Sequence, residues 1–393
     1  MHKVSILNQF SPLGLQQLDT NHYSISLGEI TPDCEMLLVR SALLYNIKLP
    51  KSLKVVGRAG IGVDNIPVAE LTQRGIPVLN TPGANANAVK ELVLAGMLLA
   101  ARRLCSAWQF TKNLSLPQSE LEQAVEKQKK AFVGHEISGK TLGVIGLGAI
   151  GVKVANAALS LGMRVIGYDP EISVQRAWEL SAGVEQAKTL ESLLAQTDYI
   201  SCHVPLTEKT KHLINSKRLA TMKAGVILLN FARADIIEES ALIAALREEK
   251  VSAYVCDFPA ESLQTLNSVI ALPHLGASTK EAEENCARMV IRHAKEFIES
   301  GNIINSINFP EVVLPRGSAH RICIVNANIP NMLGQVSTKL AQFDYNIIDM
   351  MNKSKENMAY TLIDVEKPVS SEVISSIQAI AGIISVWVIE ANQ

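Results

Sequence analysis

Three residues far apart in this chain, Arg233, Glu261 and His274, carry the side chains needed to move a hydride and a proton at a hydroxyl-bearing carbon. A guanidinium grips a carboxylate through two bonds and polarises the carbonyl beside it. An imidazole accepts a hydroxyl proton during oxidation and returns it during reduction. A carboxylate bonded to that imidazole fixes its tautomer and orientation. Upstream lies a glycine loop, Gly146-Leu147-Gly148-Ala149-Ile150-Gly151. In such a loop Gly146 permits the tight turn, Gly148 lets backbone approach a pyrophosphate, and Gly151 lets helix and strand pack closely. The helix N-terminus that follows offers free N–H groups to phosphates. The next strand ends at Asp169, about 20 residues on, where a ribose 2′-hydroxyl would be met, so NAD is favoured over NADP. His203 is the rival histidine; no acid follows it in comparable register, and it reads as structural or as lining the nicotinamide pocket.

The elements that must place these groups alternate along the chain. Apolar β-branched runs at 4–7, 36–39, 53–57 and 76–79 are interleaved with helical stretches at 66–73 and 88–104. Asn87 is a candidate cap for the second of these, with Glu91 in its first turn. A second alternating unit has strands at 141–145, 164–168, 199–203, 226–230, 252–256 and 269–272, with an amphipathic helix at 240–248. This order predicts parallel sheets with helices on both faces, an α/β fold of two Rossmann-like domains. Arg233 and His274 then each follow a strand, at the end where open α/β sheets place ligands. Residues 113–140 read as a polar connection with one short helix, and 282–300 as a long helix returning to the first unit. Beyond the Pro- and Gly-bearing segment 305–317, a βαββαβ order predicts a ferredoxin-like module whose free sheet edge favours pairing between chains.

Composition narrows the class. The chain has 393 residues, enough for two or three domains, with 48% hydrophobic and 19% charged residues. A net charge of −1 leaves no basic excess for nucleic acid or a membrane surface. The longest apolar run, 92–101, is too short to span a bilayer, and the N-terminus reads as a strand without a secretory signal. Six cysteines without metal-ligand or disulfide spacing predict reduced thiols, no metal and a cytoplasmic protein.

Taken together, the motifs resemble the D-isomer-specific 2-hydroxyacid dehydrogenases. The resemblance rests on segment 56–65 (Val-Gly-Arg-Ala-Gly-Ile-Gly-Val-Asp-Asn), the glycine loop, His203-Val204-Pro205-Leu206-Thr207, Asn230 to Arg233, and Pro273-His274-Leu275-Gly276-Ala277-Ser278-Thr279. It implies that Arg233 binds the substrate carboxylate and carbonyl, that His274 is the acid/base, and that Glu261 orients it. It assigns NAD contacts to Gly146, Gly148, Ala149, Ile150, Gly151, Asp169, Val204, Phe231, Ala232, Arg233, His274, Gly276 and Ala277. The run Cys256-Asp257-Phe258-Pro259-Ala260-Glu261 departs from the family's pattern. Alignment on Phe-Pro-x-Glu puts Cys256 where the cofactor-facing Asp stands; Asp257, one residue on, is assigned the contact, with Cys256 as the alternative. The phosphoglycerate branch implies Arg40, Ser41, Arg58, Gly60, Ile61 and Asn85 as substrate contacts. The expected reaction is NAD-dependent oxidation of 3-phospho-D-glycerate, opening L-serine biosynthesis. Other D-2-hydroxy acids, such as glycerate or 2-hydroxyglutarate, and a non-catalytic NAD-sensing protein remain the alternatives.

The implied domains are a substrate domain at 1–95 completed by 276–310, an inserted NAD domain at 96–275, a linker at 311–319 and a regulatory module at 320–393. That module resembles an ACT domain through Asn326-Ala327-Asn328-Ile329-Pro330-Asn331-Met332-Leu333-Gly334. Asn326, Asn328 and Asn346 fall at its serine-contacting positions, which implies an L-serine effector and a homo-oligomer, dimer or tetramer.

Overall fold

Among the described residues, the alternation of apolar runs and amphipathic stretches folds into three sheets. The structure is a computed structural model and describes residues 1–8 and 10–390. The chain divides into two compact units, one of residues 1–84 together with the chain from Glu283 onward, the other Asn85–Ala282.

In the first unit, β1 (His2–Ile6), β2 (Tyr23–Leu27), β3 (Met36–Val39), β4 (Val55–Arg58) and β5 (Val78–Leu79) form a sheet of order β2-β1-β3-β4-β5, parallel in every pairing. A parallel sheet covered on both faces needs strands that are apolar throughout, and all four residues of β3 are buried. One face packs on helix Lys280–Ser300 through Val290, Ile291, Ala294 and Phe297. Gly57 allows that approach, since a Cβ there would lie 2.6 Å from Val290 Cγ2. The other face packs on Ile66, Leu71 and Ile76. Edge strand β2, Tyr-Ser-Ile-Ser-Leu, was hidden in the sequence because its serines dilute the apolar run.

The C-terminal strands belong to this same unit. β13 (His320–Ala327), β14 (Ile347–Lys355), β15 (Met358–Val365) and β16 (Ile383–Glu390) form an antiparallel sheet of order β14-β15-β13-β16. Ile322 and Ile324 face helices Met332–Gln342 and Ser371–Gln378. Their neighbours Cys323 and Val325, with Tyr360 and Leu362, join the core around Phe297. Both faces of β13 are thus covered, which is why its sequence reads Ile-Cys-Ile-Val without polar alternation. The linker is knotted to this sheet by Arg321, which is fully buried. Its Nε and Nη2 donate to the two oxygens of Asp364 at 2.6 and 2.8 Å. Its remaining N–H groups donate to the carbonyls of Ser300, Leu314 and Pro315. A buried charge of this kind is tolerated because every donor is satisfied.

The second unit holds a seven-stranded parallel sheet of order β12-β11-β10-β9-β6-β7-β8. Its strands are β6 (Thr141–Ile145), β7 (Arg164–Tyr168), β8 (Glu185–Gln186), β9 (Tyr199–Cys202), β10 (Val226–Asn230), β11 (Val251–Cys256) and β12 (Val269–Ala271). Successive strands run outward from β6 in one direction and from β9 in the other, so the order reverses between these two, the point at which such folds bind nucleotides. Helix Ala86–Ala101 covers β10 and β11 with Val89, Val93 and Met97. Its N-cap is Asn85 and not Asn87, whose amide donates to Glu91 within the helix. Helix Leu104–Asn113 precedes the expected polar connection, which carries one α-helix, Gln118–Gln128; neither buries a residue. The first starts afresh after Arg103, which adopts a left-handed φ of 50°. Among the described residues no helix is long and apolar enough to cross a membrane.

Candidate active site

The glycine loop turns off the end of β6. Gly146 has φ +90°, and a Cβ there would lie 2.8 Å from the His203 carbonyl oxygen. A Cβ on Gly151 would collide with the Gly146 carbonyl oxygen and lie 3.0 Å from its carbonyl carbon, whereas Gly148 has nothing within 4 Å. The two positions therefore differ in kind: Gly151 closes the loop on itself, and Gly148 opens toward space a phosphate could fill. Ala149 and Ile150 begin helix Ala149–Ser160. Asp169, just past β7, accepts the Leu147 N–H at 2.8 Å through Oδ2, so the acid is tied to the loop. His203 bonds Ser201 Oγ at 2.8 Å, and burial lowers its pKa to about 4, which keeps it neutral. Val204 lies beside it, half-buried.

The catalytic candidates lie where β10, β11 and β12 end side by side, in register Asn230–Cys256–Ala271. Asn230 is fully buried and pins the first loop. Its amide donates to the Arg233 carbonyl at 2.9 Å, and its oxygen accepts from the Ala232 N–H. Arg233 is extended and half-buried, with Nη1 donating to the Ala232 carbonyl. The Phe231 ring is buried against Gly96, where a Cβ would meet its Cζ at 3.1 Å, so only the Phe231 backbone is offered to a cofactor. His274 is exposed and meets the edge of Phe258, ring centroids 5.2 Å apart.

Asp257 gathers the charges here. It is 1% exposed and its Oδ1 has no hydrogen-bond partner among the described residues. Burial pushes its carboxyl up, against the pull of His274, the Gly276 N–H and Arg233. Cys256 points instead into the apolar core, its thiol pushed up by burial. The two residues that the alignment left as alternatives thus have different surroundings, Cys256 among apolar side chains and Asp257 beside Gly276. Glu261 opens the one-turn helix Glu261–Gln264 and is exposed; among the described residues no hydrogen bond joins it to His274. The expected imidazole–carboxylate bond is thus not made here, because a carboxylate at the start of that turn projects into water. Gly276 is buried beside Asp257 and Ala277 is half-buried.

The first unit carries a second cluster at the ends of β3 and β4. Arg40 Nη2 pairs with Glu283 Oε1 at 2.7 Å, and Arg58 Nε donates to the Arg40 carbonyl at 3.1 Å. Asn8 accepts the N–H groups of Ser41 and Ala42. The Gly60 carbonyl accepts from the Thr81 N–H, and the Ile61 carbonyl from the Asn80 amide. Asn85 caps the first helix of the second unit, with Oδ1 buried and unpartnered. In the C-terminal module a cavity of about 210 Å³ is lined by Asn326, Asn328, Asn331 and Asn352 but not by Asn346, which is exposed. Asn331 adopts φ 66°, a left-handed conformation that Asn tolerates in place of Gly.

Residues 94–276 match the family described as D-isomer specific 2-hydroxyacid dehydrogenase, NAD binding domain. The chain is 37% identical over 337 residues to D-3-phosphoglycerate dehydrogenase of Methanocaldococcus jannaschii, covering 83% of this chain and 61% of that protein. It is 43% identical over 269 residues to hydroxypyruvate reductase of Thermotoga maritima, covering 65% of this chain and 82% of that protein. The fold is similar to that of the NAD+-bound 3-phosphoglycerate dehydrogenase of Entamoeba histolytica, with TM-score 0.61 and 25% identity over 78% of this chain and 98% of that one. With the glycine loop, Asp169 and the strand-end cluster of Arg233, Asp257 and His274 all in place, the chain belongs to the D-isomer-specific 2-hydroxyacid dehydrogenase family.

Proposed function

We propose that the chain is an NAD-dependent dehydrogenase that oxidises 3-phospho-D-glycerate to 3-phosphohydroxypyruvate and catalyses the reverse, the first step of L-serine biosynthesis. The observation that carries this reading is the gathering of Arg233, Asp257 and His274 at adjacent strand ends of the unit that bears the glycine loop. The likeness to two phosphoglycerate dehydrogenases supports the substrate.

Bound NAD would supply a nicotinamide that accepts the C2 hydride. The residues that fit it are Gly146 to Gly151, Asp169, Val204, the backbone of Phe231 to Arg233, and His274 to Ala277, with the unpartnered Oδ1 of Asp257 suited to an amide N–H. His274 takes the hydroxyl proton as the hydride leaves. Arg233 holds the carboxylate and the oxygen that becomes a carbonyl, where a fixed cation is worth most once water is excluded. Glu261 serves as the orienting acid once it turns toward His274. Arg40, Ser41, Arg58, Gly60, Ile61 and Asn85 bind the rest of the substrate. L-Serine at the asparagine-lined cavity is the effector, and exposed Leu104 and Trp108 on helix Leu104–Asn113 support a homo-oligomer. We place the enzyme in the cytoplasm.

A second reading, turnover of an unphosphorylated acid such as glycerate, is favoured by the carboxylate already on Arg40. The test is loss of NADH absorbance with 3-phosphohydroxypyruvate against hydroxypyruvate. Turnover of the phosphorylated acid with the higher kcat/KM supports the first reading; turnover of neither ends both.

A further inference from the structure

Helix Lys280–Ser300 starts beside the strand ends that carry Arg40 and Arg58, and its first turn presents Glu283. The Glu283 carboxylate lies 2.7 Å from Arg40 Nη2, and the two side chains are 42% and 34% exposed. Cys286, buried on the same helix, feels Arg40, Arg58 and Glu283 together, so the four groups share one corner. An ion pair this exposed is weak and exchanges readily with a ligand. The ligand then matters. A phosphate monoester brings a charge of about −1.5 to −2 at neutral pH. Seated on Arg40, it would stand within ion-pair range of a second anion, and like charges held that close oppose each other. A hydroxymethyl end meets no such opposition and can hydrogen-bond to the same carboxylate.

We propose that Glu283 is a specificity-determining residue, disfavouring a dianionic phosphate ester relative to an uncharged hydroxymethyl end at the position held by Arg40. The proposal rests on the assignment of Arg40 to substrate binding made above. It gives that corner a role in choosing between phosphorylated and unphosphorylated members of one substrate class.

The test uses the full chain, wild type and Glu283→Gln, a nearly isosteric change at a half-exposed position. Two ratios are read: kcat/KM for 3-phosphohydroxypyruvate over hydroxypyruvate with NADH, and calorimetric affinity for 3-phosphoglycerate over glycerate. Removing the carboxylate raises both ratios about tenfold, the size of one partly screened charge contact. In an Arg40→Ala background the same change moves them less than about threefold, because the pair no longer exists to be broken. Ratios that stay within about twofold, or fall, overturn the proposal, as does failure of both acids to bind wild type and variant alike. Loss of turnover with intact binding instead indicts the proposed reaction and leaves the affinity ratio to judge Glu283.

Discussion

Two glycines three residues apart in the same loop should respond oppositely to a single methyl group. At Gly148 the backbone is extended, φ −72° and ψ −165°, and an added Cβ has nothing within 4 Å. Alanine fits that conformation, and restricting the unfolded chain should stabilise by about 0.4–1 kcal/mol. The methyl would nevertheless stand where a pyrophosphate must approach the backbone, so NADH affinity should fall at least about tenfold, or 1.4 kcal/mol. At Gly151 the added Cβ runs into the Gly146 carbonyl and presses on Val144 Cγ1 at 3.4 Å. The loop must open to admit it, an overpacking cost of roughly 1–3 kcal/mol. At about 2–4 °C per kcal/mol for a domain of this size, that lowers the melting temperature by roughly 2–12 °C. Fluorescence titration with NADH and thermal unfolding of both variants separate the effects. Gly148→Ala should melt slightly above wild type, by roughly 1–4 °C, and bind poorly, while Gly151→Ala should melt early. Wild-type NADH affinity in Gly148→Ala, or a wild-type melt in Gly151→Ala, refutes the reasoning.

Other outcomes follow from the same structure. His274→Ala should cut kcat by about 10²- to 10⁴-fold while NADH binding stays within a few-fold, read by steady-state kinetics and titration. Arg321→Met should destabilise the first unit by about 3–5 kcal/mol, because it strands the buried Asp364; Arg321→Met with Asp364→Leu should recover much of this in denaturant titration. His293 is buried with Nδ1 unpartnered, and burial lowers its pKa from 6.5 to about 4. Between those values the unfolded chain binds a proton that the native state refuses, so stability present above pH 6.5 is lost as pH falls through 4. The loss is on the order of 3 kcal/mol at most, and His293→Phe should flatten the curve of unfolding free energy against pH in that range.

The sequence exposes those features that depend on local pattern. Strands β6, β7 and β10 stand out because a parallel strand covered on both faces carries an unbroken buried run, and the glycine loop because only glycine fits at Gly146 and Gly151. Features that depend on tertiary placement stay hidden. β2 and β8 are edge strands with diluted patterns, and helix Leu104–Asn113 buries nothing, so its sequence carries no clean apolar stripe. Alignment by spacing could not choose between Cys256 and Asp257, since that choice depends on what surrounds each side chain in the fold. Glu283 was invisible for a related reason: its partner Arg40 is some 240 residues away, and only the fold brings them to 2.7 Å. Asn230 did leave a signal, as a polar residue closing an apolar strand just ahead of Arg233.

The interleaving of the first unit bears on how the chain is made. β1 and β3 find their covering layer, Val290, Ile291 and Phe297, only after the whole of Asn85–Ala282 has been translated, and Tyr360 and Leu362 arrive later still. At synthesis rates of about 5–20 residues per second, the emerging N-terminal strands must wait on the order of 10–40 s for that layer. The middle unit has no such dependence and can close while the ribosome is still at work. Newborn chains would therefore hold a finished nucleotide domain beside an unfinished apolar sheet, the species a chaperone would be expected to meet.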